Sequence, residues 1–131
     1  FYETRGRDIL IVHINPIHRE ELPRTARDIM NRLNEISFNA SLLNELRTIA
    51  FVRRLIHEGR VPRTAFKDVL VHSIRDDATM TKLGVATKLQ PDWMLLKNLK
   101  DSGRQAADAF LRDHWSDLGE RPSLDLRALY S

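Results

Sequence analysis

Histidines are the side chains of this 131-residue sequence best suited to proton transfer or metal binding, and there are five: His13, His18, His57, His72 and His114. No two of them lie three or four residues apart, the spacing at which histidines of one helix share a metal ion. His13 and His72 each lie in an apolar run, so neighbouring strands would bring them together as a base or ligand pair. No partnering carboxylate is evident for either, which favours the simpler interpretation that each makes a hydrogen bond at a strand edge.

The sequence contains no motif for covalent or phosphate chemistry. None of its five glycines belongs to a Gly-x-Ser-x-Gly elbow or to a phosphate-binding loop. The absence of cysteine excludes disulfides, thiolate catalysis and cysteine-bound zinc, and it favours a cytoplasmic setting. Asp76 and Asp77 form an adjacent carboxylate pair, but they are better suited to capping a helix that begins at Ala78. We therefore predict no catalytic residue, cofactor site or metal site in this chain.

Five cations cluster around the end of the predicted long helix: Arg53, Arg54, Arg60, Arg63 and Lys67. Such a cluster could contact anionic lipid headgroups or phosphates. A solvated helix end, whose cations offset the helix dipole, is the simpler interpretation. The net charge of +3 is mild, and basic residues are not interleaved with aromatic ones, so no nucleic acid partner is expected.

The elements that position these residues follow from the apolar pattern. The stretch RDILIVHINP predicts a strand over residues 8–15, of the kind that is buried on both faces of a parallel sheet. Thr25 is a suitable N-cap for a helix over residues 26–58, whose apolar stripe is wider than one partner helix requires. The run FKDVLVHSI favours a strand over residues 67–74, with a short buried helix or a loop as the alternative. Two such strands in one sheet would make a right-handed crossover.

The rest of the chain is predicted to be helical. Pro91 suits the first position of a longer helix that contains Gly103, and a last short helix is expected over residues 124–130. The predicted fold class is therefore α+β and mostly helical. Residues 1–75 would form an α/β part and residues 76–131 a helical appendage, packed together as one unit.

The position of the first strand adds one expectation. This apolar strand begins only a few residues after Phe1, although strands of this type usually lie inside a sheet. We therefore expect that its neighbours belong to chain that precedes Phe1, and that the sequence is the tail of a larger enzyme.

Three segments carry a family resemblance: DILIVHINP, PRTARDIMNRLNEISFNASLLNELRTIAFVRRLI and LGVATKLQPDWMLLKNLKDSGRQAADAFL. They resemble the C-terminal region of bacterial patatin-like phospholipases, in particular those with a domain of unknown function after the patatin core. The resemblance covers nearly the whole chain, and residues 34–39 and the pair Asp92-Trp93 are its most specific parts.

The resemblance implies a fragment of a three-layer α/β fold that hydrolyses lipid acyl esters through an acyl-enzyme, with no metal. In that family the nucleophile is a serine in a Gly-x-Ser-x-Gly elbow, and an aspartate in an Asp-Gly-Gly or Asp-Gly-Ala motif activates it. Both motifs lie upstream of the strand that matches residues 8–15, and this sequence contains neither. No catalytic residue is therefore carried over, and the chain is expected to be a non-catalytic part that packs on an upstream core.

Two other functions stay open on the sequence alone. The wide apolar face of residues 26–58 suits a helical interaction module that forms homo-oligomers. The basic cluster suits peripheral docking on a membrane surface, which would place a cytoplasmic protein at the membrane.

Overall fold

The computed structural model describes residues 3–19, 21–83, 87 and 92–130. Its elements follow in chain order: strand β1 (Asp8–His13), helix α1 (Ala26–His57), strand β2 (Leu70–Arg75), helix α2 (Asp77–Met80) and helix α3 (Trp93–His114). Single 3-10 turns follow at Trp115–Asp117 and Ala128–Tyr130. The fold is α+β and mostly helical, as the sequence predicts.

The two strands form a parallel pair, with α1 as the connection between them. Their register runs from Asp8 opposite Leu70 to His13 opposite Arg75. The predicted strand–helix–strand unit is therefore confirmed, and the alternative of a helix or loop over residues 67–74 is wrong.

Both strands are shorter than predicted. The first ends at His13 instead of residue 15, and the second begins at Leu70 instead of residue 67. A strand extends only as far as its partner allows, and the ladder here begins where the Leu70 N–H donates to the Arg7 carbonyl at 2.9 Å. The ends of a strand cannot be predicted from its apolar run alone, because they depend on where the partner strand begins and ends.

One face of the sheet packs against α1. Ile9 and Ile11 of β1 and Val71 of β2 lie on this face with Val69, and Leu46 of α1 covers them. Leu46 is 2% exposed and Val71 is completely buried. Side chains of the C-terminal segment, Leu124, Leu126 and Leu129, complete this cluster. The main core of the molecule therefore lies between the sheet and α1.

Helix α1 begins and ends at residues whose chemistry explains its bounds. The Thr25 hydroxyl accepts a hydrogen bond from the Asp28 N–H at 3.2 Å, as predicted for the N-cap, and it donates to the Asp28 carboxylate at 2.6 Å. At the other end Gly59 has a φ of +69°, which favours glycine. The helix is continuous through residues 37–41, where weak helix formers suggest a break.

Asn39 explains why a weak helix former lies in the middle of α1. Its side chain is 3% exposed. The amide nitrogen donates to the Pro16 carbonyl at 3.1 Å, and the amide oxygen lies 3.3 Å from His13 Nε2. The cost in helix propensity is therefore offset by two hydrogen bonds that fix the end of β1 and the residues after it to α1.

The opposite face of the sheet is covered only over β2. Leu70 and His72 of β2 are buried there, and the Phe110 ring of α3 lies edge-on to His72 at 6.1 Å. Over β1 the same face is largely exposed: Leu10 and Val12 are 46% and 68% exposed, and Ile14, the residue that follows the strand, is 61% exposed. We call these three residues the β1 apolar surface.

Helix α3 begins at Trp93 with Asp92 as its N-cap, and the predicted start at Pro91 lies outside the described residues. Gly103 lies inside α3, and no heavy atom comes within 4 Å of the position that a Cβ would take there. Close backbone packing therefore does not explain this glycine, which costs about 1 kcal/mol relative to Ala in a helix interior.

The last predicted helix is mostly absent from the described residues. Of residues 124–130, only Ala128–Tyr130 form a single 3-10 turn. The Asp125 carboxylate accepts hydrogen bonds from the Arg127 N–H at 2.8 Å and the Ala128 N–H at 3.4 Å. These bonds favour a turn in place of a longer helix. Within the described residues, no helix has the length and apolar character needed to cross a bilayer.

Candidate functional site

His72 lies at the centre of a hydrogen-bonded chain of three side chains. Its Nε2 is 3.0 Å from Asp8 Oδ1, and its Nδ1 is 3.0 Å from Ser123 Oγ. Asp8 stands at the start of β1, two residues before Leu10, which pairs with His72 across the sheet. The expectation that no carboxylate partners His72 is therefore wrong, because the parallel register brings Asp8 onto the same face of the sheet.

The ionisation of Asp8 determines which of the two side chains, Asp8 or His72, carries the proton of the hydrogen bond between them. Partial burial opposes its ionisation, but hydrogen bonds from the Gly119 N–H and from His72 lower the pKa of Asp8 below its ordinary value of 3.8. An ionised carboxylate only accepts, so His72 Nε2 carries the proton between them.

This order of groups is that of a Ser–His–Asp catalytic triad, but its surroundings suit a structural role. A triad also needs N–H donors to stabilise an oxyanion, and two backbone N–H groups near these side chains are engaged elsewhere. Here the Gly119 N–H donates to Asp8 at 2.8 Å, and the Leu124 N–H donates to the Val71 carbonyl at 3.1 Å. His72 has no exposed surface. The three side chains therefore bind the C-terminal segment to the sheet.

His13 does not join His72. It lies opposite Arg75 in the register, on the face of the sheet that packs against α1, whereas His72 lies on the other face. Burial lowers the pKa of His13 below 6.5. The proposed base or ligand pair of histidines is therefore not formed, and His13 instead contacts Asn39.

A cavity of about 950 Å³ opens beside the carboxyl ends of the two strands. We call it the strand-end cavity. Apolar side chains from β1, α1 and α3 form most of its wall: Val12, Ile14, Phe38, Leu95, Leu96 and Leu99. Gly103 lies on the α3 side of the same wall. In open sheets of parallel strands, ligands bind outside the carboxyl ends of the strands, so this is the place where the fold favours a ligand.

The Asp76 carboxylate lies at the margin of the strand-end cavity and already has hydrogen-bond partners. Asp76 accepts a hydrogen bond from the Ser102 hydroxyl and one from the Thr79 N–H at 3.0 Å. The pKa of Asp76 is lowered, chiefly by the hydrogen bond from the Ser102 hydroxyl and then by the hydrogen bonds from Thr79. Asp76 is also the N-cap of α2, as the sequence predicts for the Asp76-Asp77 pair.

Glu35 is the buried acid of this margin, at 8% exposed. Its carboxylate accepts from Arg19 Nε at 2.8 Å and lies 3.3 Å from Arg32 Nη1. Burial opposes ionisation, but the two guanidinium groups lower the pKa of Glu35. The carboxylate is thus ionised and neutralised inside the chain at neutral pH.

The basic cluster is largely engaged within the chain. Arg53 pairs with Asp68 at 3.0 Å, Arg60 pairs with Glu58 at 3.1 Å, and Lys67 Nζ donates to the Thr4 carbonyl at 2.6 Å. Arg54 lies over the Phe51 ring at 5.4 Å. Arg63 is exposed. These contacts reduce the positive charge available to an anionic surface, and contact with lipid headgroups stays a prediction.

Among the described residues, no group of three or more His, Asp or Glu side chains is arranged to hold a metal ion. Neither family models nor curated proteins nor solved structures gave a match to this chain. The structure therefore establishes the architecture of the chain and no family. It is a parallel crossover unit with helices on both faces and a cavity at the strand ends.

Proposed function

We propose that this chain is the non-catalytic C-terminal part of a patatin-like lipid acyl hydrolase. The resemblance of its three segments motivates the family. The observation that carries the proposal is the exposure of the β1 apolar surface, since parallel strands are normally covered on both faces.

The two faces of β1 differ in a way that favours a missing layer. Ile9 and Ile11 pack into the core beside α1, while Leu10, Val12 and Ile14 are largely exposed. Parallel strands are normally covered on both faces. In the sheet that the structure describes, β1 also has a neighbour on one edge only. A further strand beside β1, with a helix over Leu10, would complete a three-layer α/β arrangement.

The catalytic groups would lie in that further part. The resemblance assigns the serine and the aspartate to chain upstream of the strand that matches β1. The present chain would then supply an outer strand pair, the long helix α1 and the C-terminal helices. A cytoplasmic setting belongs to this proposal and depends on the absence of cysteine.

The parent reading frame tests the proposal at the level of sequence. We expect a Gly-x-Ser-x-Gly elbow and, between it and Phe1, an Asp-Gly-Gly or Asp-Gly-Ala motif. A reading frame that carries neither motif ahead of Phe1 would contradict the family assignment.

A fluorophosphonate probe tests it at the level of chemistry. In the purified parent protein, the probe should label a serine outside these 131 residues, and the isolated chain should take no label and cleave no p-nitrophenyl ester. Ser123 is the informative residue, because its hydroxyl oxygen lies 3.0 Å from His72 Nδ1. Labelling of Ser123, lost in Ser123→Ala, would overturn the non-catalytic assignment.

A second candidate function is self-association through α1. Apolar side chains on this helix remain exposed, among them Ile29, Met30, Leu33, Ile36 and Phe51. An exposed apolar face of this extent is typical of a protein–protein contact. Sedimentation equilibrium should then give a dimer that Leu33→Lys dissociates. A monomer at all concentrations would exclude this function.

A further inference from the structure

The stretch of α1 from Ile29 to Asn44 differs from the rest of the chain in its charge. Charged residues make up 30% of the sequence, but this stretch of about four turns contains only Arg32 and Glu35. These two side chains are paired with each other at 3.3 Å, and Glu35 also binds Arg19. The remaining positions are apolar or uncharged, although the side of a helix that faces water is usually charged or polar.

Four exposed residues form a continuous line along this stretch: Ile29, Leu33, Ile36 and Ala40. We call them the α1 seam. Their spacing of four, three and four residues is the heptad spacing by which two helices pack side by side. Ile29, Leu33 and Ile36 are 46%, 52% and 51% exposed, although each is large and apolar. The spacing and the exposure of the α1 seam therefore fit a second helix.

The charges at the two ends of the α1 seam are opposite in sign. Arg24 and Arg27 lie at its N-terminal end and Glu45 lies at its C-terminal end, and all three are exposed. Arg27 and Glu45 are separated by five turns of about 3.6 residues, so they lie on the same side of the helix. Two further charges, Asp28 and Arg47, are already engaged within the chain. An antiparallel second α1 would therefore complement both ends.

We propose that a second copy of this chain binds the α1 seam, with the two α1 helices antiparallel about a two-fold axis. A two-fold axis at the middle of the seam sets Leu33 against Ile36 of the second copy, and Ile29 against Ala40. Every residue of the seam then has an apolar partner, and the same surface serves both copies, as a two-fold interface requires. The proposal rests on the second candidate function, self-association through α1, and adds the arrangement of the two copies.

The charges at the ends favour the antiparallel arrangement over a parallel one. With this axis, Glu45 lies level with Arg24 of the second copy, and Arg27 of that copy is one turn away. A parallel pair would instead place Glu45 beside Glu45 and Arg27 beside Arg27, and like charges in contact are destabilising. Charge thus determines the direction of the second helix, while the apolar seam provides the contact.

Disulfide formation tests the arrangement, because the chain contains no cysteine of its own. Ile29→Cys and Ala40→Cys are purified separately as full 131-residue chains and oxidised alone and as a mixture. In the antiparallel pair, residues 29 and 40 meet, whereas each lies roughly 16 Å along the axis from its own equivalent. A disulfide spans less than about 7 Å between Cα atoms. Gln105→Cys, at an exposed position of α3, is the control for random cross-linking.

We expect a disulfide-linked dimer in the mixture and little from either variant alone or from Gln105→Cys. Cross-linking of Ile29→Cys with itself, without a product specific to the mixture, would overturn the antiparallel arrangement and leave self-association standing. A wild-type chain that sediments as a monomer at all concentrations would overturn both. Neither result bears on the assignment to a patatin-like hydrolase.

Charge reversal tests the arrangement independently. Glu45→Arg should weaken the dimer roughly threefold to tenfold, because it meets Arg24 and Arg27 of the second copy at both ends. Combining it with Arg24→Glu and Arg27→Glu in the same chain should restore the affinity. Sedimentation equilibrium measures the dissociation constants, and circular dichroism confirms that each variant is folded. Unchanged affinity in Glu45→Arg would overturn the proposed pairing of the ends, because a parallel pair only exchanges one like-charge contact for another.

Discussion

The two faces of the sheet differ in how completely their side chains are buried. On the α1 face, Leu46, Val71 and their neighbours form a closed core in which side chains are almost completely buried. On the α3 face, closure stops at the boundary between the strands: His72 of β2 is completely buried, while Val12 of β1 is 68% exposed. The stability of the isolated chain therefore comes mainly from one face, and the other face has surface left for an additional contact.

The largest loss of stability is expected from a substitution in the core on the α1 face of the sheet. Leu46→Ala should destabilise the chain by about 2–5 kcal/mol, because it leaves a cavity in the core. Urea unfolding followed by circular dichroism measures this free energy. A loss below about 1 kcal/mol would mean that the α1 face is not the main core.

The next largest loss of stability is expected on the α3 face, at the hydrogen bonds around the buried His72. Asp8→Asn should cost about 1–3 kcal/mol at pH 7, because the carboxylate bonded to His72 and to the Gly119 N–H is lost. Ser123→Ala removes only the outer bond of the chain, so it should cost less. Equal losses in the two variants would contradict the central role of the carboxylate.

Acid should remove the difference between Asp8→Asn and the wild type. The pKa of Asp8 is lowered in the folded chain, so its stabilisation is present above the ordinary value of 3.8 and disappears as the pH falls through the folded value. Urea unfolding of both proteins between pH 7 and pH 3 measures this. A difference that stays constant below pH 3.8 would exclude ionised Asp8 as its source.

Gly103→Ala tests the open part of the α3 side with a change of opposite sign. It should stabilise the chain by up to about 1 kcal/mol, because alanine favours the helix and a Cβ meets no atom within 4 Å. Thermal unfolding should show a higher Tm. A lower Tm would mean that the space beside Gly103 is filled in solution.

The smallest effect is expected on the β1 apolar surface. Leu10→Lys should change the stability of the isolated chain by less than about 1 kcal/mol, because nearly half of the Leu10 side chain is already exposed. In the parent protein the same change should destabilise strongly if Leu10 is covered there. Equal effects in the two proteins would remove the distinction between the faces.

The sequence predicts the parts of the fold that depend on local pattern. The apolar run of β1, the Thr25 cap and the long stripe of α1 are all readable from neighbouring residues, and each is present. The Asp8 partner of His72 was missed, because the two residues are 64 positions apart and only the strand register brings them together. Knowing that the strands are parallel, with Leu10 opposite His72, would have identified Asp8.

The strand-end cavity could not be predicted for a similar reason. Its wall combines β1, α1 and α3, and the distances between these elements do not follow from the pattern of any one of them. The only local sign was Gly103, a glycine inside a helical pattern.

We propose that the exposed side of β1 is an internal surface of a larger enzyme. Hydrogen–deuterium exchange tests it most directly, with the 131-residue chain measured alone and joined to the sequence that precedes Phe1 in its parent gene. We predict that amides of β1 exchange much more slowly in the joined protein, while amides in the middle of α1 change little. Equal exchange of β1 in the two proteins would contradict the claim.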